Sequence, residues 1–310
     1  MDRLNGAAPV LVDVQTVAAW QGHAPAAAQA PDDPPRPGFV PTEPRPDPET
    51  LKVLDIRWTA LGSQNGHDEY LQGHLPGAVY VSMDSQLAGH DGPREGRHPL
   101  PDPDRFGDTV RMLGIDDGDT VVVYDDAQGT SAARAWWLLR HVGLDRTYLL
   151  DGGLAAWRAA ELPLQAGEVI PRPGNARTTW GRMPVLDIDE AAGLPRSGLL
   201  LDARSAARYR GEVEPLDPRA GHIPGAVSAP TTQNLDEGGR FRPAAELAKR
   251  FRTLGVDQDH PVGAYCGSGV NAAHEVAALN IAGYRAALYP GSWSAWSNTP
   301  GRPVATGEEP

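Results

Sequence analysis

The stretch Tyr265-Cys266-Gly267-Ser268-Gly269-Val270-Asn271 contains the single cysteine of a 310-residue chain. Upstream, Pro261 to Tyr265 reads as a short apolar strand. Downstream, Ala272 to Ile281 places apolar residues at helical spacing, with Gly283 as the stop. The thiol therefore falls at a strand-to-helix turn, where Gly267 and Gly269 let the backbone curl around it. Such a loop turns backbone N–H groups inward, and the helix N-terminus adds partial positive charge. Both favour the thiolate, the nucleophilic form of cysteine. The alternative is a small buried core residue, and the Gly-Ser-Gly setting favours the nucleophile. A second group of chemical interest is Arg204, Arg208 and Arg210, just after an apolar run at Leu199 to Asp202. A guanidinium fork matches a carboxylate or sulfonate, while a solvated helix face is the competing reading.

The elements that must carry these residues come twice. In the first half, Val10 to Trp20 reads as a short strand and a helical turn, and Lys52 to Ile56 as a strand followed by Arg57. His74-Leu75-Pro76-Gly77-Ala78 comes next, then a helix at Phe106 to Leu113 and a strand at Thr120 to Tyr124. A loop at Asp125 to Ser131 leads into a helix at Ala132 to Val142, and Asp151-Gly152-Gly153 precedes Trp157. The second half repeats this order with Leu199 to Asp202, His222-Ile223-Pro224-Gly225-Ala226 and a helix at Ala244 to Leu254. Val262 to Tyr265, the cysteine loop with its helix, and Pro290-Gly291-Ser292 ahead of Trp296 complete the repeat. Strands alternating with helices predict an α/β fold of two tandem domains, each a mainly parallel sheet flanked by helices. Ligands bind beyond the carboxyl ends of such strands, where Cys266 lies.

The expected domains are 1–165, with an insertion at 21–50 rich in Pro, Ala and Asp, and 185–310, joined by a linker at 166–184. The insertion cannot build a core and reads as a surface loop or arm. At the place answering Cys266, the first half carries Asp125. A carboxylate cannot do the chemistry of a thiolate, so the first domain is expected to be catalytically silent.

Tyr-Cys-Gly-Ser-Gly-Val, the two His-x-Pro-Gly-Ala elements and the two glycine turns ahead of tryptophan resemble the tandem-domain rhodanese sulfurtransferases. The resemblance covers nearly the whole chain outside 21–50. Within that group the chain is most similar to the 3-mercaptopyruvate type, because the thiosulfate type usually carries basic residues directly after the cysteine. Gly267 and Ser268 stand there instead. Asn271 departs from the family's usual threonine. The resemblance implies a Cys266 persulfide formed from 3-mercaptopyruvate and passed to a thiol, cyanide or thioredoxin-like acceptor. Thiosulfate is the alternative donor, and a sulfur-relay module fed by a partner protein is the non-enzymatic alternative. It also implies that Arg208 binds the donor's anionic end, that Arg219 is the second arginine, and that Gly267, Gly269, Val270 and Asn271 line the donor site. Ser268 would act with a first-domain histidine and an aspartate, matched to His74 and Asp68. A structural role in its own turn is the competing reading for His74, as it is for His222. No metal or cofactor is implied, because the protein itself carries the sulfur.

Composition narrows the rest. Apolar residues make up 40% and charged residues 22%, ordinary for a globular chain. A net charge of -12 opposes binding to nucleic acid or anionic membranes. One cysteine excludes an internal disulfide framework and a cysteine-cluster metal site. The N-terminus lacks the pattern of a secretory signal, and the cytoplasm is the expected compartment. Cysteine phosphatases and arsenate reductases need an arginine six residues after the cysteine. Ala272 stands there, and the loop itself has no basic residue.

Overall fold

The computed structural model describes residues 9–23, 37–40, 44–58, 65–90 and 92–310. These form two compact units, drawn from 1–87, 102–182 and 238–240 and from 88–101, 183–237 and 241–310. The division is not a single cut: residues 88–101 lie within the first repeat in sequence but belong to the unit that holds Cys266.

The first unit carries β1 (Leu11–Val12), α1 (Val14–Trp20), β2 (Leu51–Asp55), α2 (Asn65–Gln72), β3 (Val79–Tyr80), α3 (Met83–Gln86) and α4 (Pro103–Met112). It continues with β4 (Thr120–Tyr124), α5 (Thr130–His141), β5 (Thr147–Leu150) and α6 (Gly153–Ala159). The strands form one parallel sheet in the order β1-β5-β4-β2-β3. The middle strand, β4, is buried throughout, as its Thr-Val-Val-Val-Tyr sequence demands of a strand covered on both faces. Trp136, Trp137 and Trp157 are fully buried on the covering helices. Of the 21–50 insertion, residues 24–36 and 41–43 lie outside the described residues. Its middle returns to the sheet, where Phe39 bridges Leu11 in parallel, and Arg45 donates to the Trp20 carbonyl at the end of α1. Residues 166–182, expected as linker, belong to this unit, with Ala176 buried and Trp180 edge-on to Phe106 and His141.

The second unit carries α7 (Ile188–Gly193), β6 (Leu199–Asp202), α8 (Ala206–Tyr209), β7 (Val227–Ser228), α9 (Ala244–Thr253), β8 (Val262–Tyr265), α10 (Val270–Ile281), β9 (Ala286–Leu288) and α11 (Ser292–Asn298). Its parallel sheet runs β7-β6-β8-β9. Among the described residues no helix is long and apolar enough to cross a membrane.

The duplication extends to individual hydrogen bonds. In the first unit Arg57 forks onto Asp55 at the end of β2 and donates to the Gly73 carbonyl. The hydroxyl of Tyr124, the last residue of β4, donates to Asp55 and accepts from Leu75 N–H at 3.0 Å. In the second unit Arg204 forks onto Asp202 and donates to the Gly221 carbonyl, and Tyr265 accepts from Ile223 N–H at 3.1 Å. A carboxylate held by a bidentate arginine satisfies both buried charges, and the arginine's further bond ties each strand end to the glycine just before the His-x-Pro-Gly element. Arg204 is thus a brace for the domain.

Candidate active site

Cys266 directly follows β8, with only four residues from it to Gly269, the N-cap of α10. The tight path requires Gly269 at φ +82°, where a Cβ would stand 2.5 Å from the Pro290 carbonyl oxygen. Cys266 is 3% exposed, and its Sγ accepts Gly269 N–H at 3.2 Å. The start of α11 braces the loop: Trp293 N–H donates to the Cys266 carbonyl and Ser294 N–H to the Gly267 carbonyl, each at 2.9 Å. Cys266 N–H donates to Ser292 Oγ at 3.1 Å, and Ser292 sits at φ +54°, a conformation that costs a residue with a side chain about 1–2 kcal/mol. Its counterpart Gly153 has the same φ of 54° at no such cost. The strained serine supplies the hydroxyl that fixes the nucleophile's own N–H. Val270 is buried at the first position of α10, and Asn271 is exposed at the second.

Arg208, at the end of α8, reaches the loop. A Cβ on Gly267 would stand 3.2 Å from Arg208 Nη1 and 3.0 Å from Arg97 Nη2. Two guanidiniums therefore flank the residue after the cysteine. The loop's own side chains are neutral, as the sequence shows, and the guanidiniums beside it come from other segments of the chain. Arg97 is one of the residues that sequence reasoning passed over.

Arg219 does not join this pair. Its Nε donates to the Ser297 carbonyl at 2.9 Å, Nη1 to Arg302 at 2.7 Å, and Nη2 to Trp296 at 2.8 Å and Thr299 at 3.3 Å. The guanidinium is consumed in capping the carboxyl end of α11, where orphan carbonyls and the helix dipole both call for a cation. The assignment of Arg219 to the donor is thereby corrected.

The histidine on Ser268 is His98, whose Nδ1 lies 2.8 Å from Ser268 Oγ. His74 has another task. It is fully buried and stacked on Tyr70 at 4.2 Å, with Nδ1 2.8 Å from the Leu75 carbonyl and Nε2 2.9 Å from that of Gly167. His222 repeats this in the second unit, stacked on Tyr209 at 3.8 Å with Nδ1 2.8 Å from the Tyr209 carbonyl. His74 thus braces its own turn and His222 ties its turn to the end of α8, and the match of His74 to Ser268 is corrected. Asp68 is exposed in the first turn of α2. His274, in α10, is buried and stacked on Phe241. The signal for the missed pair was Gly96-Arg97-His98-Pro99, a cation and a histidine side by side in a stretch without periodicity. Its place is secured by a side chain of the same unit, because Arg97 N–H donates to Ser294 Oγ at 3.1 Å.

A buried thiol in a glycine loop, a hydroxyl held by an imidazole and a pair of guanidiniums make a site for covalent group transfer from an anionic donor, built on one half of a duplicated α/β scaffold. Residues 42–160 and 187–299 each match the family model for the rhodanese-like domain. A Pseudomonas aeruginosa protein named as a 3-mercaptopyruvate sulfurtransferase is 47% identical over 266 residues, covering 83% of this chain and 93% of its own. A Mycobacterium tuberculosis protein named as a thiosulfate sulfurtransferase, SseB, is 44% identical over 265 residues, covering 84% and 92%. The crystal structure of the Escherichia coli 3-mercaptopyruvate enzyme SseA superposes with a TM-score of 0.72 at 36% identity, covering 80% of this chain and 94% of that one. The chain belongs to the rhodanese family, in its tandem-domain sulfurtransferase branch.

Proposed function

We propose that this chain takes the sulfur of 3-mercaptopyruvate onto Cys266 and passes it to a thiol or cyanide. The Cys266 thiolate attacks the donor sulfur, the carbon–sulfur bond breaks, and the bonding pair leaves as the enolate of pyruvate. Protonation of the enolate gives pyruvate, and Cys266 holds a persulfide. An acceptor thiolate or cyanide then attacks the outer sulfur and returns the Cys266 thiolate, so that no metal or redox cofactor is required. Arg208 and Arg97 hold the donor's carboxylate. Ser268 hydrogen-bonds the donor carbonyl, and His98 behind it supplies the proton that the enolate takes up.

The observation that carries this reading is the 2.8 Å contact between His98 Nδ1 and Ser268 Oγ, two residues from the nucleophile. A polarised hydroxyl serves a donor with a carbonyl and has no equivalent task on thiosulfate. The names of the relatives include both donors, and the two arginines beside Gly267 favour thiosulfate as the second reading. A cytoplasmic place of action goes with either donor, since the thiol must be kept reduced.

Steady-state kinetics with both donors under identical conditions test the reading. Wild type should show the higher kcat/KM with 3-mercaptopyruvate. His98→Ala should lower that value by ~10²-fold, the scale of a lost general acid, and lower thiosulfate turnover much less. Equal losses on both donors, or a tenfold preference of wild type for thiosulfate, would hand the site to the second reading.

A further inference from the structure

The two arginines beside Gly267 already hold an anion of the chain's own. Asp217 pairs with Arg97 on one side and accepts from Arg208 Nη2 at 3.3 Å on the other, with its carboxyl only 1% exposed. Three residues earlier, Glu214 is bound quite differently. It accepts from Arg208 Nε at 3.2 Å and Nη2 at 2.7 Å, from Arg204 Nη1 at 3.3 Å, and from the N–H groups of Leu216 and Asp217 at 3.2 Å. Glu214 is an anchor that fixes the Arg208 side chain and its own loop. The contacts of the Asp217 carboxylate run to the two arginines that face the cysteine loop. Arg208 keeps Nη1 toward Gly267, outside both carboxylates.

We propose that Asp217 is a resident anion in the donor pocket: it holds Arg97 and Arg208 together in the unloaded enzyme, gives way to the donor's anionic group, and sets the preference for singly charged donors. This rests on the reading that Cys266 takes sulfur from an anionic donor, and it adds the residue that decides the donor's charge class. Three arginines, Arg97, Arg204 and Arg208, face three carboxylates, Asp202, Glu214 and Asp217. The cluster is therefore neutral before a donor arrives. A monoanion adds one negative charge next to the Cys266 thiolate, and a dianion adds two. Displaced but not removed, the Asp217 charge acts once on the first and twice on the second. Burial raises the Asp217 carboxyl above its ordinary value, with the charge of Glu214 adding to this and Arg97 and Arg208 opposing it. A buried carboxylate whose anionic form is already costly is one that a competing anion can replace.

The test uses the full chain carrying Cys266→Ala, so that anions bind without reacting. Thiosulfate serves as the dianion and pyruvate as the monoanion, with affinities read by titration calorimetry. Asp217→Asn should tighten pyruvate by about threefold and thiosulfate by about tenfold, since one removed charge acts on one and on two donor charges. Asp217→Ser, which removes the same charge with a smaller side chain, should give the same order. Arg97→Ala should weaken both anions and abolish the gain from Asp217→Asn. Equal gains for the two anions, no gain, or weaker binding of both would overturn the proposal and leave Asp217 as a brace for the arginines. Because these titrations need no sulfur transfer, a wild type that turned over neither donor would sink the functional reading while leaving the anion result intact.

Discussion

Asp125 and Cys266 each follow the tyrosine that ends the central strand of their unit, and each precedes the glycine that caps the next helix. The first loop runs Asp125-Asp126-Ala127-Gln128-Gly129, one residue longer than Cys266-Gly267-Ser268-Gly269. In it the Asp125 carboxylate is fully buried and accepts four backbone N–H groups. Oδ1 takes those of Ala127 at 2.9 Å and Gly129 at 2.8 Å, and Oδ2 those of Ser131 at 2.8 Å and Ala132 at 2.9 Å. The cradle at this helix N-terminus is filled by its own side chain. In the second unit the same cradle holds a sulfur atom that takes a single N–H at 3.2 Å. One repeat thus fills its strand–helix turn with four charge-assisted bonds, and the other places a weakly accepting sulfur there. The lesson is that silencing a cradle of this kind needs no collapse of the fold, only an acceptor strong enough to stay in it.

The largest effect should come from the nucleophile. Cys266→Ser should reduce transfer by more than about 10³-fold, and mass spectrometry after donor treatment should find one added sulfur on wild type alone. Placing a thiol in the other loop should not compensate. Asp125→Cys in the Cys266→Ser background should stay inactive, because Asp126 and the longer loop replace Gly267 and its two arginines. Transfer by that double variant would break the comparison outright.

A smaller loss, about 10²-fold or ~2.7 kcal/mol, is expected in donor kcat/KM for Arg208→Ala, the scale of a lost charge-assisted pair. Arg208→Lys should recover only part of it, since an ammonium cannot hold a carboxylate and Glu214 at once through a planar fork. Unchanged donor kinetics would reduce Arg208 to a structural partner of Glu214.

The smallest effect should be confined to stability. Asp125→Asn keeps the volume but turns an amide NH₂ toward N–H groups that had an acceptor, at a cost of about 2 kcal/mol. Urea unfolding followed by tryptophan fluorescence should show the first transition at lower denaturant, with donor kinetics of the folded enzyme unchanged. A loss of activity without a loss of stability would mean that the first loop takes part in transfer.

Local patterning made most of the scaffold legible. The fully apolar run at Thr120 to Tyr124 could only be a covered strand, and the glycines around Cys266 left little choice of turn. The duplication supplied the rest, since each element of one half predicts its twin. The geometry of the cysteine loop was legible because its residues are adjacent in sequence, so the glycine spacing around Cys266 already implies the strand-to-helix turn. Legibility failed where partners come from segments without periodicity. Nothing in the spacing of Arg219 distinguishes a donor ligand from a helix cap, because four carbonyls in and just beyond the last turn of α11 attract a cation as well as a substrate does. His74 and His98 are both followed closely by a proline, and only burial and hydrogen bonding separate the turn brace from the partner of Ser268.

The exchange of segments between the two units bears on how such a gene can be divided. A scission at residue 183 would give a C-terminal fragment with Cys266, Ser268 and Arg208 but without Arg97 and His98, which travel in the stretch 88–101. The reverse loan, 238–240, would leave the N-terminal fragment short of its own piece. Each repeat thus carries a piece of the other's unit, so a cut between the repeats in sequence is not a cut between the units in space.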